Sequence, residues 1–285
     1  MLVRFTFPIL LFASSFLIIF SPANQKAPGA LFRLGSEQIL DTKVEHLGPT
    51  FSSELRLNER STIRLKLPQK LLAFEDEVAQ KIFHAHQSLE AMLGEFAIKD
   101  LSVELVSEHE FYEDRKFPRW VNALYVNGQI SIPVHIGMNT SELFASVQHE
   151  YAHAAIREAS AGNCPVWMDE GIAQILEANH HPEISMELEV NFLQGVPLPF
   201  NDLRESFTRL ETERLPVAYA QSFFAAKHIL KHHPRHALQK YFQILKAEGD
   251  SAAAYQKAFG EPLQKLENQV WLQREAIREH PVMRF

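Results

Sequence analysis

A short segment near the middle of the chain carries residue types that can bind a metal ion and move a proton. The segment is Val147-Gln-His149-Glu150-Tyr-Ala-His153. On a helix, residues four apart project from one face, so both imidazoles can bind one zinc ion at about 2.0–2.1 Å. Glu150 follows the first histidine and comes within reach of a water on that ion. The spacing therefore predicts two metal ligands and a general base from one turn of helix.

The same pattern can also arise by chance from two surface histidines on a helix. Two features favour the functional interpretation over that alternative. First, a second helical segment follows after a loop and has acidic residues in its first turns. Second, apolar residues surround the motif, as a buried helix requires; they are Leu143, Phe144, Val147, Tyr151, Ala152 and Ile156.

The second helical segment supplies a third candidate ligand, because catalytic zinc usually takes three protein groups and a water. Glu170 lies 17 residues after His153, which lets one helix end and a second return its first turns to the metal. A histidine six residues after His153 would compete for this role, but Ala159 stands there. We therefore predict zinc bound by His149, His153 and Glu170.

The neighbours of Glu170 carry two further expectations. Asp169 fits a solvated acid at a helix start, favoured by the helix dipole, better than it fits a metal ligand. Gly171 is expected to allow the two helices to approach closely.

Both segments together resemble the gluzincin metallopeptidases, and within them the peptidase MA-like group. The resemblance rests on His149-Glu-Tyr-Ala-His153 and Trp167-Met-Asp-Glu170-Gly-Ile-Ala173, and it covers about residues 70–275. Tyr219-Ala-Gln-Ser222 resembles the tyrosine helix of this group and of the aminopeptidase N type. Without the resemblance, Tyr219 reads as a core tyrosine on an amphipathic helix.

The resemblance implies zinc, one ion per chain, and hydrolysis of peptide bonds in a peptide or protein substrate. It implies an α+β, zincin-like fold, in which a small β-sheet subdomain lies over the active-site helix and an all-helical C-terminal half follows. It also assigns His149, His153 and Glu170 as ligands, Glu150 as general base and Tyr219 as the group that stabilises the oxyanion.

The sequence departs from relatives of this kind at two places. Thermolysin-type members have an aspartate four residues after the ligand glutamate, behind a histidine, whereas this chain has Gln174. An amide oxygen can accept a hydrogen bond from a histidine but brings no charge, so the partners behind the ligands stay open. The Gly-rich motif with which aminopeptidases bind a free amino terminus is absent, so amino-terminal trimming is not favoured.

Hydrophobic periodicity places these residues on definite elements. Residues 61–67 and 101–106 alternate as strands do, and Asn127-Gly128 predicts a two-residue turn between strands at 123–126 and 129–132. A first helix is predicted over 71–93, ending at Gly94. Further helices are predicted at about 139–160, 165–178, 215–232, 235–247, 250–259 and 262–279, with loops and short helices over 179–213.

Composition narrows the classes of function. The 285 residues are 46% hydrophobic and 22% charged, which excludes a disordered or collagen-like chain. The formal charge of −7 argues against a nucleic-acid partner. The single cysteine, Cys164, excludes an intramolecular disulfide framework.

The N-terminal residues 1–23 resemble a secretory signal. A short basic start precedes an apolar run over residues 5–20, and Ser21-Pro22-Ala23 offers small residues for cleavage. The alternative is an uncleaved anchor formed by residues 5–20. We predict a signal peptide over 1–23, a tether and strand region over 24–70, and a metallopeptidase domain over 71–279. Export to the periplasm or the cell exterior follows from this prediction, with membrane contact only if the segment stays uncleaved.

Two alternatives remain open. The chain is either a hydrolase or a non-catalytic, zinc-containing scaffold protein of the cell envelope; closed structural sites prefer four protein ligands, which favours the hydrolase. The tracts His180-His181-Pro182 and His232-His233-Pro234 resemble metal-binding tracts, but each ends a predicted helix, where cationic capping is the expected role.

Overall fold

The computed structural model describes residues 47–119, 121–135 and 138–279. The predicted signal peptide, and the predicted tether up to residue 46, lie outside the described residues.

Five strands form one mixed sheet. They are β1 (Thr50–Arg56), β2 (Thr62–Pro68), β3 (Leu101–Ser107), β4 (Leu124–Val126) and β5 (Gln129–Val134). Their order across the sheet is β1-β2-β3-β5-β4. The three central strands are parallel, while β1 and β4 pair antiparallel at the two edges. The strands β1 and β2 therefore share a sheet with the strands that follow residue 71.

The predicted strand at 61–67 is confirmed as β2, in which buried Ile63 and Leu65 alternate with exposed Thr62 and Arg64. The predicted hairpin is confirmed as β4 and β5. Its turn residues Asn127 and Gly128 have φ values of 50° and 78°. Both values are positive, as the preferred two-residue hairpin turn requires.

The helix α1 (Glu75–Leu93) connects β2 to β3 and ends at Gly94, as predicted. It begins four residues later than expected, because residues 69–74 form a tighter helical turn before it. The first turn of α1 instead contains Glu75, Asp76 and Glu77, whose negative charges are favourable at a helix N-terminus.

The helix α2 (Thr140–Ser160) carries the histidine motif, and its first turn is closed as predicted. Asn139 Oδ1 accepts a hydrogen bond from the backbone N–H of Glu142 at 2.8 Å, and Glu142 Oε2 accepts one from the N–H of Asn139 at 3.1 Å. The helix ends where Ala161 and Gly162 adopt φ values of 52° and 76°. These two ends fix where the histidines fall on the helix.

The remainder of the described chain is largely helical. Its helices are α3 (Val166–His180), α4 (Pro182–Gln194), α5 (Leu215–His232), α6 (Arg235–Glu248), α7 (Ser251–Phe259) and α8 (Leu263–Glu279). All of them except α4 match predicted helices to within a few residues at either end. A mixed sheet with a helical remainder confirms the α+β class.

The prediction of loops with short helices over 179–213 was wrong for α4, which spans 13 residues. The prediction treated Pro182 as a helix breaker. Pro182 instead occupies the first turn of α4, where a missing N–H costs no hydrogen bond. Ile184, Leu188 and Phe192 form the buried face of this helix.

The helix α2 is surrounded by other elements. It contacts β4 and β5 on the sheet, and also α1, α3 and α6, while α3 in turn packs on α5. One continuous hydrophobic core runs through these contacts from the sheet to α8. Among the described residues, no helix has both the length and the apolar character needed to cross a bilayer.

Candidate metal centre

The two motif histidines lie on one buried face of α2. His149 and His153 are both buried, and their ring centroids are 4.8 Å apart. The apolar residues around them in sequence place this part of α2 in the core, as expected. The side chains are therefore held by packing before any ion binds.

Glu170, in the first turns of α3, completes the predicted cluster. Its Oε2 lies 3.7 Å from His149 Nε2 and 3.9 Å from His153 Nε2. One ligand atom from each of the three residues lies within 4.8 Å of the other two. The structure thus brings together three residues that are up to 21 positions apart in sequence.

The converging atoms are buried polar atoms without a hydrogen-bond partner among the described residues. They are His149 Nε2, His153 Nε2 and Glu170 Oε2. Leaving such groups unsatisfied costs about 1–3 kcal/mol each, so their convergence calls for a further partner. Two imidazole nitrogens and one carboxylate oxygen form a donor set of catalytic zinc sites. The cluster therefore fits a zinc ion.

The other nitrogen of each histidine contacts a carboxylate. His149 Nδ1 lies 2.8 Å from Glu177 Oε2, and His153 Nδ1 lies 2.8 Å from Asp169 Oδ1. Such partners place the proton on Nδ1 and turn the lone pair of Nε2 toward the metal position. These two contacts orient both rings.

The contact with His153 corrects the expectation for Asp169. The prediction of a solvated acid at the helix start was wrong, because the side chain is only 29% exposed and hydrogen bonds His153. Asp169 is not one of the three clustered residues either. It contacts Nδ1 of His153, whereas Nε2 of that ring faces the cluster.

Sequence reasoning missed Glu177 as the partner of His149. Gln174 is buried, but its Oε1 has no hydrogen-bond partner among the described residues. Glu177 lies seven residues after Glu170, which is close to two helical turns and places both on one face of α3. The spacing of Glu170 and Glu177 therefore indicates the partner of His149, whereas position 174 alone does not.

The acids around the histidines change the pKa of each imidazole. Burial opposes protonation of His149, but the carboxylates of Glu177, Glu170 and Glu150 outweigh it and raise its pKa well above the ordinary value. Burial likewise opposes protonation of His153, whose pKa Asp169 and Glu170 nevertheless raise to about 9. Binding of a metal ion is therefore expected to compete with protonation of these two imidazoles.

Glu150 and Tyr219 lie beside the cluster. Glu150 is fully buried on α2, and Tyr219 is buried on α5 with the ring of Phe207 packed against it at 5.1 Å. Burial, followed by the nearby carboxylates of Glu170 and Glu150, raises the pKa of Tyr219 well above its ordinary value. Its hydroxyl therefore keeps its proton at neutral pH and can donate a hydrogen bond.

A cavity of about 400 Å³ opens onto this group of residues. Its lining includes His153, Glu170 and Tyr219, together with residues 125–127 of the β4–β5 hairpin. The predicted β-sheet thus forms one wall of the cavity that contains two of the clustered residues.

The helices α3 and α5, which carry Glu170 and Tyr219, are in unusually close contact at Gly171. A Cβ atom at Gly171 would lie 2.3 Å from the backbone oxygen of Ser222 and 2.8 Å from Ala226 Cβ. The prediction that Gly171 lets α3 approach the motif helix closely was wrong about the partner, because the close contact is with α5.

The fold is similar to that of M1 zinc metallopeptidases of known structure. The M1 zinc metallopeptidase from Deinococcus radiodurans matches with a TM-score of 0.52 and 16% identity, over 79% of this chain and 51% of that chain. A mutant of that enzyme matches with a TM-score of 0.51 and 16% identity, over 78% of this chain and 51% of that chain. A mutant of the same enzyme bound to a Tyr-Ser-Ala substrate matches with a TM-score of 0.50 and 17% identity, over 78% of this chain and 50% of that chain.

This chain spans about half the length of these structures. No family model matches the sequence, and no curated protein matches it. At 16% identity, the similarity shows the fold alone. The chain therefore shares the fold of M1 zinc metallopeptidases over part of their length. Within this fold it has a buried cluster of His149, His153 and Glu170.

Proposed function

We propose that this protein is a zinc-dependent metallopeptidase of the gluzincin type. One observation carries the proposal: three buried ligand atoms without hydrogen-bond partners converge from His149, His153 and Glu170. The similarity of the fold to zinc metallopeptidases supports it. The substrate is a peptide or protein, and the formal charge of −7 argues against a nucleic acid.

The three clustered residues would hold the ion. His149 and His153 contribute Nε2, and Glu170 contributes a carboxylate oxygen. Zinc bound there would act as a Lewis acid that polarises the scissile carbonyl and lowers the pKa of a water. Three protein ligands are the number typical of catalytic zinc sites, whereas structural zinc sites usually have four.

Glu150 acts as the general base. It lies on the turn of α2 that carries both histidines, is buried, and acts electrostatically on His149, so its carboxylate is held beside the clustered ligands. Glu150 would accept a proton from the water while the water oxygen attacks the carbonyl carbon. It would then deliver that proton to the leaving nitrogen.

Tyr219 stabilises the oxyanion. The raised pKa of this tyrosine keeps its hydroxyl protonated, and the cavity it lines also contains His153 and Glu170. A donor fixed where negative charge develops lowers the barrier without reorganising during the reaction. Packing of Phe207 against the ring holds the hydroxyl in position.

We also propose that the protein acts in the cell envelope or outside the cell. The basic start, the apolar run over residues 5–20 and the small residues before Asn24 support this location. Mass spectrometry of exported protein is expected to find a chain that begins near Asn24. A mature chain that retains residues 1–20 and stays with membranes would support the anchor instead.

The proposed activity is tested with a broad peptide library. The wild type is expected to cleave library members, to lose this activity when a chelator removes its metal, and to regain it when zinc is added. His149→Ala and His153→Ala are expected to lose zinc, since the remaining ligands cannot hold a catalytic site. A wild type that holds zinc and cleaves no peptide would favour the non-catalytic scaffold.

A further inference from the structure

The C-terminal end of α5 carries a second pair of histidines with the spacing of the candidate metal centre. His228 and His232 are four residues apart, and their ring centroids are 4.3 Å apart. For comparison, the rings of His149 and His153 are 4.8 Å apart. Two imidazoles on one helix face at this separation suit Zn²⁺, Ni²⁺ or Cu²⁺, which all accept nitrogen ligands.

The surroundings of His228 oppose a positive charge on its ring. Burial lowers the pKa of His228, and the neighbouring His232 and His233 lower it further, while Gln269 and Glu261 raise it. A histidine that only capped the helix would gain from being protonated at the C-terminal end. The neutral ring that these surroundings favour is instead the form that binds a metal ion.

An oxygen donor interacts with His228 from another helix. The carboxamide of Gln269, on α8, interacts with His228, and its Oε1 is buried without a hydrogen bond of standard geometry among the described residues. A carboxamide oxygen can bind a metal ion beside two imidazoles. No third histidine, cysteine or carboxylate joins this pair within the short radius of the first cluster, as far as the described chain extends.

Glu261 adds negative charge near His228 without being a ligand. Glu261 lies two residues before α8; its Oε2 pairs with Lys265 Nζ at 2.7 Å, and its Oε1 lies 3.5 Å from His233 Nε2. Its charge acts on His228 as well. Lys265 offsets part of this negative charge, and the remainder favours the approach of a cation.

We propose that His228 and His232, together with Gln269 Oε1, form a second binding site for a divalent transition-metal ion that joins α5 to α8. Water completes the coordination, because the pair lies at the surface end of α5. The site is independent of the proposed peptidase activity, since none of its residues lines the cavity at His153.

The test is a calorimetric titration of the full-length protein with Ni²⁺, after zinc has been loaded and the excess removed. The wild type is expected to bind one nickel ion in addition to the metal already present. His232→Ala and His228→Ala should each weaken this binding by at least about tenfold, because one of two imidazole ligands is lost. His236→Ala, an exposed histidine on the next helix, is the matched control and should bind as the wild type does.

The metal should also raise the melting temperature of the wild type, because it binds the folded state. This rise should be absent in His232→Ala, whose exposed side chain can be removed without disturbing the core. The proposal is wrong if the wild type binds no additional nickel, if His232→Ala binds it unchanged, or if His236→Ala weakens it equally.

Discussion

Glu177 Oε2 lies 2.8 Å from His149 Nδ1 across the contact between α2 and α3. The two residues are 28 positions apart, and the contact fixes the orientation of an imidazole whose other nitrogen faces Glu170. A carboxylate in this position makes the histidine a better ligand. The candidate metal centre therefore depends on a residue outside the ligand set.

This contact predicts that Glu177→Ala weakens zinc binding by about 10–100-fold without abolishing it. Glu177→Gln should fall between the wild type and Glu177→Ala, because it keeps an acceptor oxygen but loses the charge. Zinc affinity is measured by competition with a chromogenic chelator. Glu183→Gln, an exposed acid on α4, serves as the control. Equal zinc affinities for Glu177→Ala and the wild type would show that Glu177 does not support metal binding.

The hydroxyl of Tyr219 is predicted to act on the reaction rather than on metal binding. Tyr219→Phe should lower the rate of peptide hydrolysis by about 10²–10³-fold while zinc content stays unchanged. The control is Tyr241→Phe, another buried tyrosine, whose hydroxyl has no hydrogen-bond partner among the described residues. A rate for Tyr219→Phe equal to that of the control would mean that Tyr219 is a core residue.

Gly171 is predicted to set the distance between the helices that carry Glu170 and Tyr219. Gly171→Ala places a Cβ 2.3 Å from a backbone oxygen of α5, so the helices must separate. We expect a loss of about 1–3 kcal/mol in the free energy of unfolding, measured in urea, and slower hydrolysis.

Gly260→Ala provides the comparison, because a Cβ there meets no atom within 4 Å, although its φ of 75° still disfavours alanine. It should be destabilised by about 1 kcal/mol through the backbone alone and should keep its hydrolytic rate. If Gly171→Ala also kept the wild-type rate, the helix contact would have no part in forming the site.

The mixed sheet contains a buried charge that makes stability depend on pH. Burial alone would raise the pKa of Glu104, but hydrogen bonds from Arg115, Ser131 and Gln129 outweigh it and lower the pKa. A carboxyl group whose pKa is lower in the folded state stabilises the fold above its unfolded pKa, near 4.3. This contribution is lost as the pH falls through the lower, folded value.

Arg115→Met should therefore cost up to about 3 kcal/mol of unfolding free energy at pH 7. The difference from the wild type should be smaller at about pH 4, because Glu104 without its Arg115 partner takes up a proton more readily than in the wild type. Urea unfolding of metal-free protein at both pH values measures this. Arg119→Met removes an exposed pair with Glu113 and should cost less than about 1 kcal/mol at either pH. A pH-independent cost for Arg115→Met would contradict the assignment.

Local chemistry made much of this fold predictable. Asn127-Gly128 specified a hairpin because few other residue pairs adopt two positive φ values, and Asn139 with Glu142 specified the start of α2. The histidines and Glu170 were predictable because four-residue spacing and one connecting loop suffice to bring them together.

The errors arose where position in space decides the outcome. A proline such as Pro182 can either end a helix or occupy its first turn. Burial of Ile184, Leu188 and Phe192 stabilises the helix that begins at Pro182. Glu177 acquires its role from the angle at which α3 packs on α2, and periodicity does not give that angle. The same limit applies to Gly171, because its close contact is with α5 and the spacing of residues in α2 and α3 does not predict that contact.

The central claim is that Glu150 moves a proton at a metal centre that other residues hold. It is tested most directly by measuring zinc content, melting temperature and peptide hydrolysis on the same preparation of Glu150→Gln. The substitution keeps size and shape but removes the basic carboxylate. We predict zinc content and melting temperature close to those of the wild type, with hydrolysis slower by about 10²–10⁴-fold. Hydrolysis at the wild-type rate would contradict the account, and loss of zinc would show that Glu150 is a ligand.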